Sequence, residues 1–318
     1  MNNLKVFACN SAEDFTRRIC KQLGIQLGQK EAFKFKNDNT FVRILETVRD
    51  DDVFVIQTTI PPVDERIMEL LITVDALRRA SARRITAVLP YFPYSRSDKK
   101  DQPRVPITAK LVADLLVSSG VDRVLTCDLH NSAIQGFFNI PTDQLKAKDI
   151  LVEYFQDIVD ENTVVVTTDA GSSKKAYKYA KEFNVAMAML DKRRDGNDDK
   201  AIANCFIGDV KDKKCIIFDD EVDTAGSLIE AVKALEENGA KEIYAACTHG
   251  VLSGPAINRI NESPLKKLIV TNTIPLSKEK QIDKIEQIDI SNLFGQAISR
   301  IHMGQGIGEL FKDKKMEF

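Results

Sequence analysis

The sequence runs to 318 residues, 43% of them apolar and 29% charged, with a formal net charge of −2. That length suits two domains of ordinary size, and the balanced charge argues against a nucleic-acid binder. No apolar run approaches the ~20 residues of a membrane span, and the opening MNNLKVFACN lacks a signal-peptide core, so a cytoplasmic protein free of membrane contact is expected.

Apolar, strand-like runs recur at 53–57, 85–89, 124–127, 164–167, 186–190, 215–218, 243–247 and 268–271. Helical patterns lie between most of them: Ile67, Leu70, Leu71, Val74 and Leu77 make one stripe, and Leu111, Leu115 and Leu116 another. This alternation predicts an α/β fold of right-handed βαβ units, with mainly parallel sheets flanked by helices and ligands at the carboxyl ends of strands. A likeness between 124–136 and 215–226, each an apolar run, an acidic residue and then a glycine, points to internal duplication with a boundary near Lys146–Lys148. The six cysteines form no C-x-x-C pair, and Cys127 and Cys215 sit inside strand-like runs, which predicts buried, reduced thiols.

Residues 33–42 read as a strand pair closed by a polar turn. Residues 91–104 follow a strand and read as a mobile loop in which Arg96, Lys99, Lys100 and Arg104 can hold a polyanion, although a solvated basic loop is the commoner outcome. His130 stands just past a strand end. Residues 164–176 pass from strand through Asp169 and a glycine-containing turn into a helix, whose N-terminus favours anions. Residues 189–194 end a strand in three successive cations, Lys192, Arg193 and Arg194.

The stretch 214–227, KCIIFDDEVDTAGS, combines most of these features. An apolar run, 215–218, leads into the carboxylates Asp219, Asp220 and Asp223, then the small-residue turn Thr224, Ala225, Gly226, Ser227, then a helical pattern through Leu228, Ile229, Val232 and Leu235. Backbone N–H groups at such a helix start can cradle a phosphate, while carboxylates, which only accept hydrogen bonds, suit sugar hydroxyls or a metal ion. Together they predict a site for a phosphorylated sugar. The GQGIG run at 304–308 has no preceding strand and makes no dinucleotide fingerprint, and no P-loop motif occurs.

The stretch 214–227 resembles the phosphoribosyl-pyrophosphate (PRPP) motif of the type I phosphoribosyltransferase fold, and in the form DDEVDTAGS it resembles the ribose-phosphate pyrophosphokinase family. Asp128-Leu129-His130 followed by Ile134-Gln135-Gly136-Phe137-Phe138 is similar to a second signature of that family. The resemblance extends from Val6 to about Pro275. It implies two tandem type I phosphoribosyltransferase-like domains, 1–147 and 148–318, the second carrying the PRPP motif. It also implies transfer of the β,γ-diphosphoryl group of ATP to the C1 hydroxyl of ribose 5-phosphate with Mg2+ as cofactor, in a protein that self-associates from dimer to hexamer. Carried over residue by residue, Lys192 and Arg194 are catalytic. Arg194, Asp219, Asp220, Asp223, Thr224, Ala225, Gly226 and Ser227 bind ribose 5-phosphate. Phe35, Asn37, Asn39, Arg96, Ser97, Asp98 and Lys99 bind ATP, Phe35 and its neighbours reaching the adenine held by an adjacent subunit. His130 and Asp169 attend the metal, His130 through water. The chain departs from the pattern at Asn37 and Asn39 (acids in the family), Ser97, Lys99, Ala133 and Thr168. Such changes leave open a second class, a non-catalytic subunit associated with the enzyme, against which stands the retention of His130, Asp169, Lys192, Arg194 and the acidic motif.

Overall fold

The computed structural model describes residues 3–168, 171–191 and 205–311. The chain divides into two units: Met1–Lys146 with Asn272–Pro275 and Asp289–Phe318, and Ala147–Thr271 with Leu276–Ile288.

In chain order the first unit contains β1 (Leu4–Ala8), α1 (Glu13–Leu23), β2 (Lys30–Lys34), β3 (Thr40–Ile44), β4 (Asp52–Ile56), α2 (Val63–Arg79), β5 (Arg84–Leu89), α3 (Thr108–Ser119), β6 (Arg123–Cys127) and β7 (Thr142–Leu145). Its main sheet has the order β1-β4-β5-β6-β7, every pair parallel, and β2 and β3 form a separate antiparallel hairpin. Every residue of β4 is buried, as a strand covered on both faces must be. The polar β7, TDQL, lies at the sheet edge with only Leu145 buried, which is why it leaves no apolar signal in the sequence.

The second unit contains α4 (Lys148–Phe155), β8 (Thr163–Thr167), α5 (Ser173–Phe183), β9 (Ala186–Asp191), β10 (Cys205–Ile207), β11 (Lys214–Val222), α6 (Gly226–Glu237), β12 (Glu242–Gly250), α7 (Ala256–Glu262), β13 (Lys267–Thr271) and β14 (Ile285–Ile288). Its sheet runs β10-β9-β8-β11-β12-β13-β14, parallel except for the β10–β9 pair. The five strands β8-β11-β12-β13-β14 repeat the order of the first sheet, with two further strands between the first and second members in both units. The counterpart of β11 is therefore β4, and that of β6 is β13. The short likeness between 124–136 and 215–226 pairs strands that are not topological equivalents.

The last helix, α8 (Ser291–His302), belongs to the first unit rather than to the second. Its face of Phe294, Ala297, Ile298 and Ile301 is buried, and Phe294 meets Phe15 of α1 edge-on with ring centroids 5.3 Å apart. Its end is tied to the sheet by Asp52, which is 0% exposed. Arg84 donates to both oxygens of Asp52 from Nε and Nη2 at 2.8 and 2.6 Å, Arg84 Nη2 donates to the Ile301 carbonyl at 3.0 Å, and His302 Nδ1 lies 2.8 Å from Asp52 Oδ2.

Two local expectations change. Helix α3 buries Ala109, Val112, Ala113 and Leu116, while Leu111 and Leu115 are 55% and 40% exposed. Its inward face is this stripe at i, i+3, i+4 and i+7, which keeps Leu116 of the expected leucines and leaves the other two beside it. The strand around Cys215 does not stop at Phe218 but runs to Val222, because β12 is equally long and continues the ladder, pairing Asp219 with Cys247 and Glu221 with His249. Cys127 and Cys215 are buried, and burial pushes the Cys215 thiol up to about 12.

Candidate functional site

In the second unit the site is built where β11 outlasts its neighbour. β8 pairs with β11 only as far as Ile217, so the carboxyl end of β11 projects beyond it. Asp219 and Asp220 therefore belong to a strand, not to a loop. The Asp220 N–H donates to Asp219 Oδ1 at 2.8 Å. From the first turn of α5, Lys175 Nζ donates to Asp220 Oδ1 at 3.0 Å and stands 3.9 Å from Asp219 Oδ1. Desolvation, opposed by Lys175 and reinforced by Asp220, pushes the Asp219 carboxyl up to about 7, although 44% of its side chain is exposed.

After Val222 the chain turns through Asp223 and Thr224 to Ala225, which adopts φ 59°, a left-handed conformation rare for a residue with a Cβ. This turn starts α6: the Ile229 N–H returns to the Ala225 carbonyl at 3.0 Å. The N–H groups of Gly226, Ser227 and Leu228 belong to the first turn, which has no intrahelical acceptors for them. The turn is held from the next loop and from α7. Leu252 and Ser253 N–H groups donate to the Val222 and Asp223 carbonyls, each at 3.0 Å, the Ser253 hydroxyl donates to Asp223 Oδ1, and Arg259 Nη1 donates to the Thr224 carbonyl at 2.9 Å. Lys280 Nζ donates to the Val251 carbonyl at 2.7 Å; burial pulls its amine below the ordinary lysine value, opposed by Glu279 and Asp223. Five members of the expected sugar-phosphate set, Asp223, Thr224, Ala225, Gly226 and Ser227, thus form one turn beside the Asp219–Asp220 pair.

In the first unit the β2–β3 hairpin presents Phe35, 49% exposed, against Phe33 and Phe41 at centroid distances of 5.2 and 5.5 Å. The Phe35 N–H donates to the Asn39 carbonyl at 2.9 Å, and the Asn37 side chain accepts from the Asn39 N–H at 3.3 Å, so both asparagines belong to the tip of the turn. The loop after β5 carries Arg96 and Lys99 exposed, with the Ser97 N–H bonded to the Tyr94 carbonyl at 2.9 Å. Asn131 Nδ2 donates to Asp98 Oδ2 at 2.7 Å, which joins this loop to the exposed His130 just past β6. Asp128 lies two residues before His130, 3.4 Å from Lys146 Nζ. The expected residues Asp169, Lys192 and Arg194 lie outside the described residues.

Residues 4–120 match the family described as the N-terminal domain of ribose phosphate pyrophosphokinase, and residues 200–312 that described as the phosphoribosyl synthetase-associated domain. The chain is 49% identical over 311 residues to a ribose-phosphate pyrophosphokinase of Caldanaerobacter subterraneus subsp. tengcongensis, covering 98% of each chain. The chain belongs to the ribose-phosphate pyrophosphokinase family. It is also 45% identical over 314 residues to ribose-phosphate pyrophosphokinase 2 of Schizosaccharomyces pombe, again covering 98% of each chain. Among solved structures it is similar to the phosphoribosylpyrophosphate synthetase of Mycobacterium smegmatis, with a TM-score of 0.90 and 40% identity over 95% of this chain and all of that one.

Within this pyrophosphokinase fold, three side chains at the turn escaped sequence reading: Lys175, Arg259 and Lys280. Lys175 is the second of two adjacent lysines, and the doublet at a helix start, where a cation is disfavoured, is a signal that could have found it. Arg259 and Lys280 carry no local signal at all.

The raised Asp219 carboxyl has a measurable consequence. Between the ordinary aspartate value and about 7 the folded protein binds more protons than the unfolded chain, so its stability falls as pH rises through that window. Asp219→Asn is expected to flatten the decline of Tm between pH 5 and 8 and to raise Tm at pH 8. A Tm profile parallel to that of the wild type would refute the assignment.

Proposed function

We infer that the chain transfers the β,γ-diphosphoryl group of ATP to the C1 hydroxyl of ribose 5-phosphate, giving PRPP and AMP. Full-length likeness to proteins named ribose-phosphate pyrophosphokinase favours this over a non-catalytic subunit. The observation that carries it is the adjacency of the Asp219–Asp220 pair, at the end of β11, and the N-terminus of α6 across the turn from Asp223 to Ser227. The N–H groups and hydroxyls of the turn suit the 5-phosphate, and Asp219 and Asp220 accept from ribose hydroxyls. The C1 oxygen bonds to the β-phosphorus as the bond from that phosphorus to the α–β bridging oxygen breaks. AMP leaves with the bridging oxygen, and the C1 hydroxyl proton is released. Such transfers depend on positioning and electrostatics more than on covalent catalysis.

The exposed Phe35 face, with Asn37 and Asn39 beside it, suits an adenine, and Arg96, Ser97, Asp98 and Lys99 suit its phosphates. An exposed aromatic cluster on a hairpin also supports a homo-oligomer in which this hairpin completes a neighbour's ATP site. The described residues fit magnesium: the Asp128 carboxylate, two residues before His130, offers a hard oxygen, and the imidazole would engage such an ion through coordinated water, with the expected Asp169 as a further carboxylate. When bound, the ion neutralises charge on the ATP oxygens. No described helix is long and apolar enough to cross a membrane, and the buried thiols match the reducing cytoplasm.

AMP formation from ATP that depends on ribose 5-phosphate, with PRPP in equal amount, tests the reading; ADP as the product would overturn it. Lys192, from the cationic run after β9, is assigned to the charge that develops on the transferred group. Lys192→Ala is therefore expected to lower kcat by about 10²–10³-fold, the size of losing one transition-state donor, with the KM for ribose 5-phosphate little changed. An unchanged kcat with a raised KM would contradict that role.

A further inference from the structure

We propose that Arg259 binds the 5-phosphate of the sugar substrate directly, as a cationic lid over the backbone cradle at the start of α6. This rests on the reading of the turn as a ribose 5-phosphate site. Arg259 sits in the last turn of α7, thirty-five residues from Thr224, whose carbonyl accepts from its Nη1 at 2.9 Å. A Cβ built on Gly226 would stand 3.4 Å from the same Nη1 and 3.8 Å from Thr224 Oγ1. The guanidinium, the Thr224 hydroxyl and the first turn of α6 therefore surround the space that the missing side chain of Gly226 leaves open.

Arg259 is exposed, and its placement sets a mobile cation beside a helix end that favours anions. A helix N-terminus already carries positive partial charge, and α6 has no acidic residue in its first turn to balance it. Arg259 makes no ion pair with any described residue, and the Thr224 carbonyl takes one of its five N–H donors. The Asp223 carboxylate, the nearest acid in the turn, is engaged by the Ser253 hydroxyl. An anion with several acceptor oxygens satisfies both the helix start and the fork of the guanidinium, and a phosphate monoester presents three. The ribose hydroxyls then face the other way, toward Asp219 and Asp220.

Three variants separate a phosphate contact from a purely structural one. Arg259→Gln keeps a donor for the Thr224 carbonyl but no charge, Arg259→Met keeps neither, and Arg259→Lys keeps the charge. Direct phosphate binding predicts that the KM for ribose 5-phosphate rises about 10- to 100-fold in both Arg259→Gln and Arg259→Met, the loss of one charge-assisted contact, and much less in Arg259→Lys. The KM for ATP and kcat stay near wild type, and calorimetric titration with ribose 5-phosphate shows the same ranking. Arg259→Gln behaving as wild type, or the KM for ATP rising in parallel, overturns the proposal. Should Arg259→Met fail to fold, Arg259→Gln decides. If the wild type neither binds ribose 5-phosphate nor forms AMP with it, the reading of the site fails; if the wild type binds and Arg259→Gln binds equally, only this inference does.

Discussion

Gly226→Val is expected to raise the KM for ribose 5-phosphate at least about 100-fold while Tm and the KM for ATP stay close to wild type. Gly226 begins α6, and its φ is not among the positive values, so a side chain meets no backbone strain there. A Cβ would make ordinary contacts at 3.4 Å with Arg259 and 3.8 Å with Thr224, so the fold has room for it. Stability should change by no more than about 1 kcal/mol, the scale of a helix-propensity difference. The same Cβ points into the space between the guanidinium, the Thr224 hydroxyl and the backbone N–H groups. The two γ-methyls of valine fill the rest, and a phosphate can no longer approach the main chain. Gly226→Ala should fall between the two. Steady-state kinetics in each substrate and a thermal melt check the prediction. Equal damage toward both substrates, or a Tm loss of many degrees, would mean that the glycine serves the fold and not the ligand.

The largest effect on stability is expected in the first unit, at the start of β4. Asp52→Ala removes a fully buried carboxylate from Arg84 and His302 together. The guanidinium then stays partly enclosed without its partner, and the end of α8 loses its tie to β4. Breaking a buried pair by deleting one partner costs about 3–5 kcal/mol, and the lower figure applies here because the Arg84 side chain keeps 27% exposure. At roughly 2–4 °C per kcal/mol for units of this size, Tm falls by about 6–12 °C. The double variant Asp52→Val, Arg84→Met should recover most of the loss, since the cost arises from the stranded charge and not from the missing attraction. A single variant within about 1 °C of wild type would show that water already solvates the pair.

The alternation of strands and helices, the parallel sheets and the turn at 223–227 were all legible in the sequence. Each is written in local information: apolar runs a few residues long, the spacing of a helical stripe, small residues where a chain must turn. The same locality set the limits. Whether β11 ends at Phe218 or at Val222 depends on how far β12 continues beside it, and no property of 214–222 encodes the length of a neighbour. The inward face of α3 took Ala109, Val112, Ala113 and Leu116 and left Leu111 and Leu115 outside, because which face turns inward is set by the neighbours it meets, which hydrophobicity alone does not rank. Helix α8 follows the second unit in sequence yet packs on α1 of the first, since its Phe294 face is complementary to a surface nearly the whole chain away. The side chains that set the chemistry of the turn came the same way: Lys175 reaches Asp220 across 45 residues, Ser253 reaches Asp223 across 30 and Arg259 reaches Thr224 across 35. By itself the sequence marked the turn whose form suits a phosphate, because a phosphate cradle is made of consecutive backbone groups. Only the tertiary structure decided which cation stands over that cradle, because a side chain several secondary-structure elements away is brought there by the packing of the sheet and not by any pattern in its own segment.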